Sequence, residues 1–139
     1  MNVKKLLLTG STVIALIVIV FAIVYVFRPA PSSVGKARPK HTITASNLVS
    51  EFEANENLAN SHYLDKVLEV TGTVNNIAED QTAIIVTLKE AGREAGVLCS
   101  FDKSNLEIDA VRRGDKIVVR GVCAGYLLDV VLTKCILVN

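Results

Sequence analysis

The chain has 139 residues, half of them hydrophobic, with 15 Lys and Arg, 14 Asp and Glu, two His and three Cys. That length holds one small folded domain besides any targeting segment, and a net charge of +1 excludes a uniformly basic binder of polyanions. Cys99, Cys123 and Cys135 form no C-x-x-C pair, so the spacing of a zinc site is missing.

The first element is apolar. Leu6 to Phe27, "LLLTGSTVIALIVIVFAIVYVF", is 22 residues without a charge. As a helix it would be roughly 33 Å long, enough for a bilayer core, and Tyr25 and Phe27 would lie near its end at the interface. A cleaved signal peptide would have a shorter apolar region and a small-residue cleavage site. The run therefore predicts an uncleaved transmembrane anchor over 6–27, preceded by a basic head over 1–5. No cysteine stands near its end to be lipidated. Cations flank both sides (Lys4 and Lys5 before; Arg28, Lys36, Arg38 and Lys40 after), and counting them alone favours a cytoplasmic C-terminal side. A short basic head before an N-terminal anchor commonly leads to export of the domain behind it, and the expectation is an extracytoplasmic domain on the periplasmic side. Cysteines fit an oxidising compartment, although an odd count weakens that point.

Residues 28–43 read as a linker: "RPAPSSVGKARPKH" holds all three prolines of the chain. Its cations either rest on anionic head groups or belong to a solvated spacer.

From 44 to 139 the pattern is that of a folded domain. "TASNLVSEFEANENLANSHYL" predicts a helix capped by the Thr44 hydroxyl, with Leu48, Phe52, Ala59 and Leu58 toward one face and asparagines weakening its end. The period then becomes two. "KVLEVTGTVNNI", "QTAIIVTLKE" and "VLCSFD" predict three strands. "KSNLEIDAVRRG" predicts a short helix stopped at Gly114, and "DKIVVRGVCAG" and "DVVLTKCILV" the last two strands. A preceding helix, three strands, a short helix and two strands is the plan of an OB-fold, a five-stranded Greek-key barrel. Gly72 and Gly121 inside strands predict sharp coiling or close backbone approach.

Asn55–Glu56, Tyr63, Val70–Gly72, Gly114–Asp115, Gly121, Cys123, Gly125 and Cys135 together resemble the tRNA-anti-like OB-fold family of small, often membrane-anchored bacterial proteins, from Thr44 to the end. The resemblance implies the OB-fold and kinship with anticodon-binding domains. It does not imply tRNA binding, because folds host many functions.

Charge argues against nucleic acid. Six cations and no acid precede Thr44, which leaves nine cations and 14 acids on the domain, whereas phosphate binding needs an excess of Lys and Arg. Of the domain's aromatics, Phe52 and Tyr63 read as helix-packing residues and Phe101 shares a face with Val97 and Cys99. Only Tyr126 reads as free to stack on a base. No Ser, His and acid set has a recognisable spacing, and no phosphate loop is present, so no catalytic residue, cofactor or metal is assigned. His62 reads as solvated or locally bonded. Arg113-Gly114-Asp115 reads as a helix stop followed by a strand start rather than an adhesion motif.

The cysteines are either buried thiols or a disulfide. A tight hairpin at "GYLL" would set Cys123 opposite about Val130, and would leave Cys123 and Cys135 about five residues, roughly 17 Å, apart, too far to bond. Neighbouring third and fifth strands make Cys99 and Cys135 the disulfide candidates. The expected ligand site is the loop at Tyr126, Leu127 and Leu128, unless its leucines fold back on the barrel. The function expected is thus a non-catalytic, membrane-anchored binding module of the cell envelope. Its partners would be the bilayer, through Leu6–Phe27, and a protein or envelope ligand. The alternative is a nucleic-acid-binding OB-fold protein.

Overall fold

The computed structural model describes residues 14–23 and 34–138. Residues 14–23 are helical. The rest of the expected anchor Leu6–Phe27 lies outside the described residues. Among the described residues, no helix is long and apolar enough to cross a membrane.

A second unit, Ser33–Asn139, carries six strands: β1 (His41–Thr44), β2 (Val67–Glu79), β3 (Ala83–Leu88), β4 (Val97–Asp102), β5 (Lys116–Tyr126) and β6 (Val130–Leu137). Two helices, α1 (Ala45–Ala54) and α2 (Glu56–Tyr63), lie between β1 and β2. Strands β2 to β6 pair in the order β2-β3-β4-β6-β5, and β5 returns to β2. This is a closed five-stranded barrel of OB type, which leaves few backbone groups unpaired.

β2 makes closure possible. Its first half, Val67–Thr73, is antiparallel to β5, and its second half, from Val74, is antiparallel to β3. Gly72 sits at the change of partner. A Cβ there would stand 2.9 Å from the Cβ of Ala45 and 3.0 Å from that of Leu88, so the glycine serves close approach of α1 and β3. Because β3 reaches only Val74, the other edge of Leu68–Thr71 is open, and β1 fills it in parallel, His41 opposite Leu68 and Thr44 opposite Thr71. β1 lies at the end of the stretch read from sequence as linker. Its threonines and Ile43 suit a pleated edge, but four residues after a Pro-rich run give too short an alternation to recognise.

The interior follows the two-residue period. Val70, Val74, Val86, Leu88, Val97, Cys99, Phe101, Val119, Cys123, Leu132 and Cys135 are buried together. α1 adds Leu48, Val49 and Phe52, and α2 adds Ala59 and Tyr63. Arg93, from the β3–β4 loop, ties α1 down through Ser50 Oγ at 2.9 Å and Glu53 at 3.7 Å.

Three expectations change in detail. The helix from Thr44 does start on that cap, with Asn47 N–H donating to Thr44 Oγ1 at 3.3 Å, but it is two helices. Asn55 breaks away from α1 at φ −160° and caps α2 by accepting from Leu58 N–H at 3.1 Å. An Asn side chain competes with the helix ladder for local donors. The break also turns Leu58 outward, 54% exposed, rather than into the apolar face. Between β4 and β5, the expected short helix is only a 3₁₀ turn, Ile108–Ala110. Asp102 closes a turn first, accepting from Ser104 N–H at 2.8 Å and Ser104 Oγ–H at 2.6 Å. These bonds hold its carboxyl below the usual carboxylate range. Leu106 and Val111 still reach the core. Gly114, at φ 89°, serves a turn whose N–H donates to Val74 O, not a helix end.

Candidate functional site

α2 and the end of the β5–β6 hairpin bound a groove of about 450 Å³. Glu56, Asn60 and Leu64 face it from the helix side, and Ala124, Gly125, Tyr126, Leu127 and Val131 from the hairpin. The helical residues are four apart, so they form one stripe along α2 and its C-cap. The helix ends firmly, because Lys66 Nζ donates to the carbonyls of Ser61 and His62 at 3.1 and 2.6 Å. Gly125, at φ 118°, lies under Leu64 and Asn60. Asn60 Oδ1 is buried and has no hydrogen-bond partner among the described residues. Such an acceptor is costly unless a donor reaches it.

The β5–β6 loop is held from below. Asp129 Oδ1 accepts from Gly96 N–H at 2.6 Å, Val130 N–H donates to Gly96 O, and Leu127 N–H donates to Asp129 O. On this fixed turn Leu127 and Leu128 stand 83% and 85% exposed. They do not fold back on the barrel. Tyr126 differs from expectation: its ring stacks on Phe52, centroids 5.6 Å apart at 23°, and is half-buried. Packing on the helix claims the ring that the sequence left free. The expected site residues thus separate into two exposed leucines and one tyrosine in the groove wall. Asn60, Leu64 and Gly125 complete the groove. Asn60 reads from sequence only as a weak helix former, and the four-residue spacing with Glu56 and Leu64 is the signal that marks it.

The face of OB-folds formed by their second and third strands is here the outside of β3 and β4. Ala83, Ile85, Thr87, Leu98 and Ser100 are half-buried on it. It carries neither a cation nor an aromatic ring. Around the barrel, Lys103 is bound to Glu79 at 2.7 Å, Arg120 to Glu69 at 2.8 Å and Arg113 to Asn76 at 2.5 Å. Asp115 Oδ2 accepts from Arg112 N–H at 2.8 Å, so both charged ends of Arg113-Gly114-Asp115 are engaged within the fold.

All three cysteines are buried free thiols. β4 and β6 run parallel, with Cys99 opposite Leu132 and Phe101 opposite Cys135. A hydrogen bond with Cys135, then burial, pushes the Cys99 thiol well up. Burial also raises Cys123. Two bulges shift the β5–β6 register, so Cys123 faces Leu132 rather than Val130. Gly121 makes room for Cys135: a Cβ there would stand 2.7 Å from its Sγ. Among the described residues, no group of three His, Cys, Asp or Glu gathers to hold a metal.

A model of the tRNA_anti-like family matches residues 1–137. The chain is also similar to a protein solved as a "putative nucleic acid-binding lipoprotein" from Klebsiella pneumoniae subsp. pneumoniae. The identity is 18% and the TM-score 0.59, over 80% of this chain and 99% of that one. At that identity the likeness shows the fold. A search of curated proteins finds no match. A family match over nearly the whole length, on a barrel closed in the OB order, makes this chain a member of the tRNA_anti-like family.

Proposed function

We propose that this chain is a non-catalytic OB-fold binding module, anchored in the membrane through Leu6–Phe27 and carrying its domain on the extracytoplasmic side of a bacterial envelope. Its ligand is a protein or another envelope component, taken at the groove between α2 and the β5–β6 loop. The observation that carries this reading is the pair Leu127 and Leu128, exposed on a turn fixed to Gly96, beside a groove with an unpartnered acceptor on Asn60. Two large apolar side chains held in water lose free energy that a partner recovers, about 1.5–3 kcal/mol each on full burial. A donor from the ligand would satisfy Asn60.

Nucleic acid is the second reading. It is favoured by the name of the Klebsiella neighbour. Against it stand the β3–β4 face without cation or ring and the excess of acids on the domain. Lys66, Arg93, Lys103, Arg113 and Arg120 are also already committed to partners within the fold. Titration of the protein with single-stranded DNA and RNA at low salt separates the two readings. The expected result is no saturable binding at micromolar concentration. Micromolar binding that falls steeply with salt, the mark of released counterions, overturns the preferred reading. A photo-crosslinking side chain at Leu128 is expected to give an adduct in cells that resists nuclease, and a nuclease-sensitive adduct selects the alternative.

A further inference from the structure

The chain enters the barrel along a strap, Val34 to Lys40, that belongs to the barrel's own unit. Val34 is buried with Val67 and Val122 in a small cluster outside the main core, and Ala37 and Ile136 pack against it. Arg120 Nη1 donates to Gly35 O at 3.5 Å, and at the far end Lys40 N–H donates to Val67 O at 2.8 Å. The strap is therefore fixed to the outside of β2, β5 and β6 at both ends.

Between these fixings burial alternates. Lys36, Arg38 and Lys40 are exposed, whereas Ala37 and Pro39 are half-buried. The three cations thus stand in a rank on the outer side. Arg120, beneath the strap, spends its charge on Glu69. Among the described residues, no acid pairs with Lys36, Arg38 or Lys40. In sequence, the rank begins nine residues after the uncharged run Leu6–Phe27 ends. Eight intervening residues reach at most about 28 Å when fully extended.

From these placements we propose that Lys36, Arg38 and Lys40 form a docking surface for anionic lipid head groups, which turns the strap-bearing side of β2, β5 and β6 toward the bilayer. This rests on the anchored reading above, and it adds an orientation. A flexible basic linker would attract the surface without aligning the barrel. A rank fixed by Val34 and by the Lys40–Val67 bond aligns it. Each cation near an anionic surface changes the docked population roughly fivefold, so three together give on the order of a hundredfold. The attraction fades with salt because the Debye length falls from about 10 Å at 0.1 M to about 3 Å at 1 M.

The test uses the full chain, isotope-labelled, in nanodiscs of phosphatidylcholine alone or with one third phosphatidylglycerol. Each disc also carries a head-group nitroxide lipid. Paramagnetic broadening of the amides of residues 35–40 is compared with that of residues 103–107 on the β4–β5 connection. The expected result is a strap-to-connection ratio at least roughly fivefold higher in the anionic discs, abolished by 1 M salt and by the triple variant K36Q/R38Q/K40Q. All three side chains are exposed, so the variant keeps the fold, which its unchanged barrel amide shifts verify. Equal ratios in the two discs, with the chain embedded in both, overturn the docking surface and leave the anchor standing. A chain that does not enter the discs overturns both. Strap shifts on adding single-stranded RNA, without a response to phosphatidylglycerol, overturn the lipid assignment in favour of nucleic acid.

Discussion

At the scale of residues, two contacts make sharp predictions. Tyr63 is buried between the helices and β1, its hydroxyl donates to Glu51 Oε2 at 2.6 Å, and His41 meets its ring edge at 5.1 Å. Burial first, then the Glu51 bond and charge, pushes the phenol up to about 12. An acid whose folded pKa is raised is stabilising while it stays protonated. Its contribution is therefore complete below the unfolded value of about 10 and is lost as pH rises toward 12. Stability measured by urea should fall by on the order of 1–2 kcal/mol between pH 10 and 12 from this group, and Y63F should remove that part of the fall. An unchanged alkaline profile in Y63F would show that the phenol is not the group responsible. The second contact is Gly121 against Cys135. Gly121→Ala places a methyl 2.7 Å from Sγ and 3.2 Å from Thr133 O, and overpacking of this kind costs about 1–3 kcal/mol. Cys135→Ala removes the sulfur. Under reducing conditions the double variant should therefore be more stable than the summed single effects by about 1 kcal/mol. Strict additivity would mean that the strand, and not the sulfur, resists the methyl.

At the scale of elements, the parts of the fold that rest on period or capping were legible and the parts that rest on competition were not. The five barrel strands follow from alternation in "VLEVTGTV" and "KIVVRGVC", and the Thr44 cap from its hydroxyl before an apolar stripe. Two things were hidden. Asn55 reads as a poor helix former, but it ends α1 with its backbone N–H donating to Glu51 O and begins α2 with its side chain, a choice settled by tertiary packing of Phe52, Ala59 and Tyr63 rather than by propensity. β1 has no amphipathic signature because its partner edge exists only once β3 stops at Val74. The candidate groove was half legible for the same reason. A pair of leucines in a turn is visible in any sequence, but whether they fold back depends on the Asp129–Gly96 bond to the start of the neighbouring strand β4. Tyr126 was misread because Phe52 reaches it only when α1 lies over the β5–β6 end. Asn55→Ala should lower stability by about 0.5–2 kcal/mol through loss of the Leu58 N–H acceptor. Asn55→Asp should keep most of it, since the carboxylate accepts the same bond at a helix N-terminus. Thermal melts of the two variants check this, and equal losses would remove the cap from the account.

At the scale of the whole molecule, compartment and thiol state form one prediction. The proposed topology puts the barrel outside the cytoplasm, where oxidation can join neighbouring thiols. β4 and β6 bring Cys99 and Cys135 into contact, while Cys123 lies on β5 opposite Leu132. If the domain is exported, the bond to form is Cys99–Cys135. It would replace a thiol contact in the barrel interior, where Gly121 leaves space for the Cys135 sulfur. Two measurements on the same cells test this. External protease added to intact spheroplasts should digest the domain at exposed connections such as 103–105, which carry Lys103. Alkylation of the denatured, unreduced protein should label one thiol, Cys123, and should label all three after reduction. Protease protection would reverse the topology. With the domain accessible, a label on all three before reduction would keep the topology and overturn the pairing, leaving Cys99 and Cys135 as buried thiols that stay unreactive until the barrel opens.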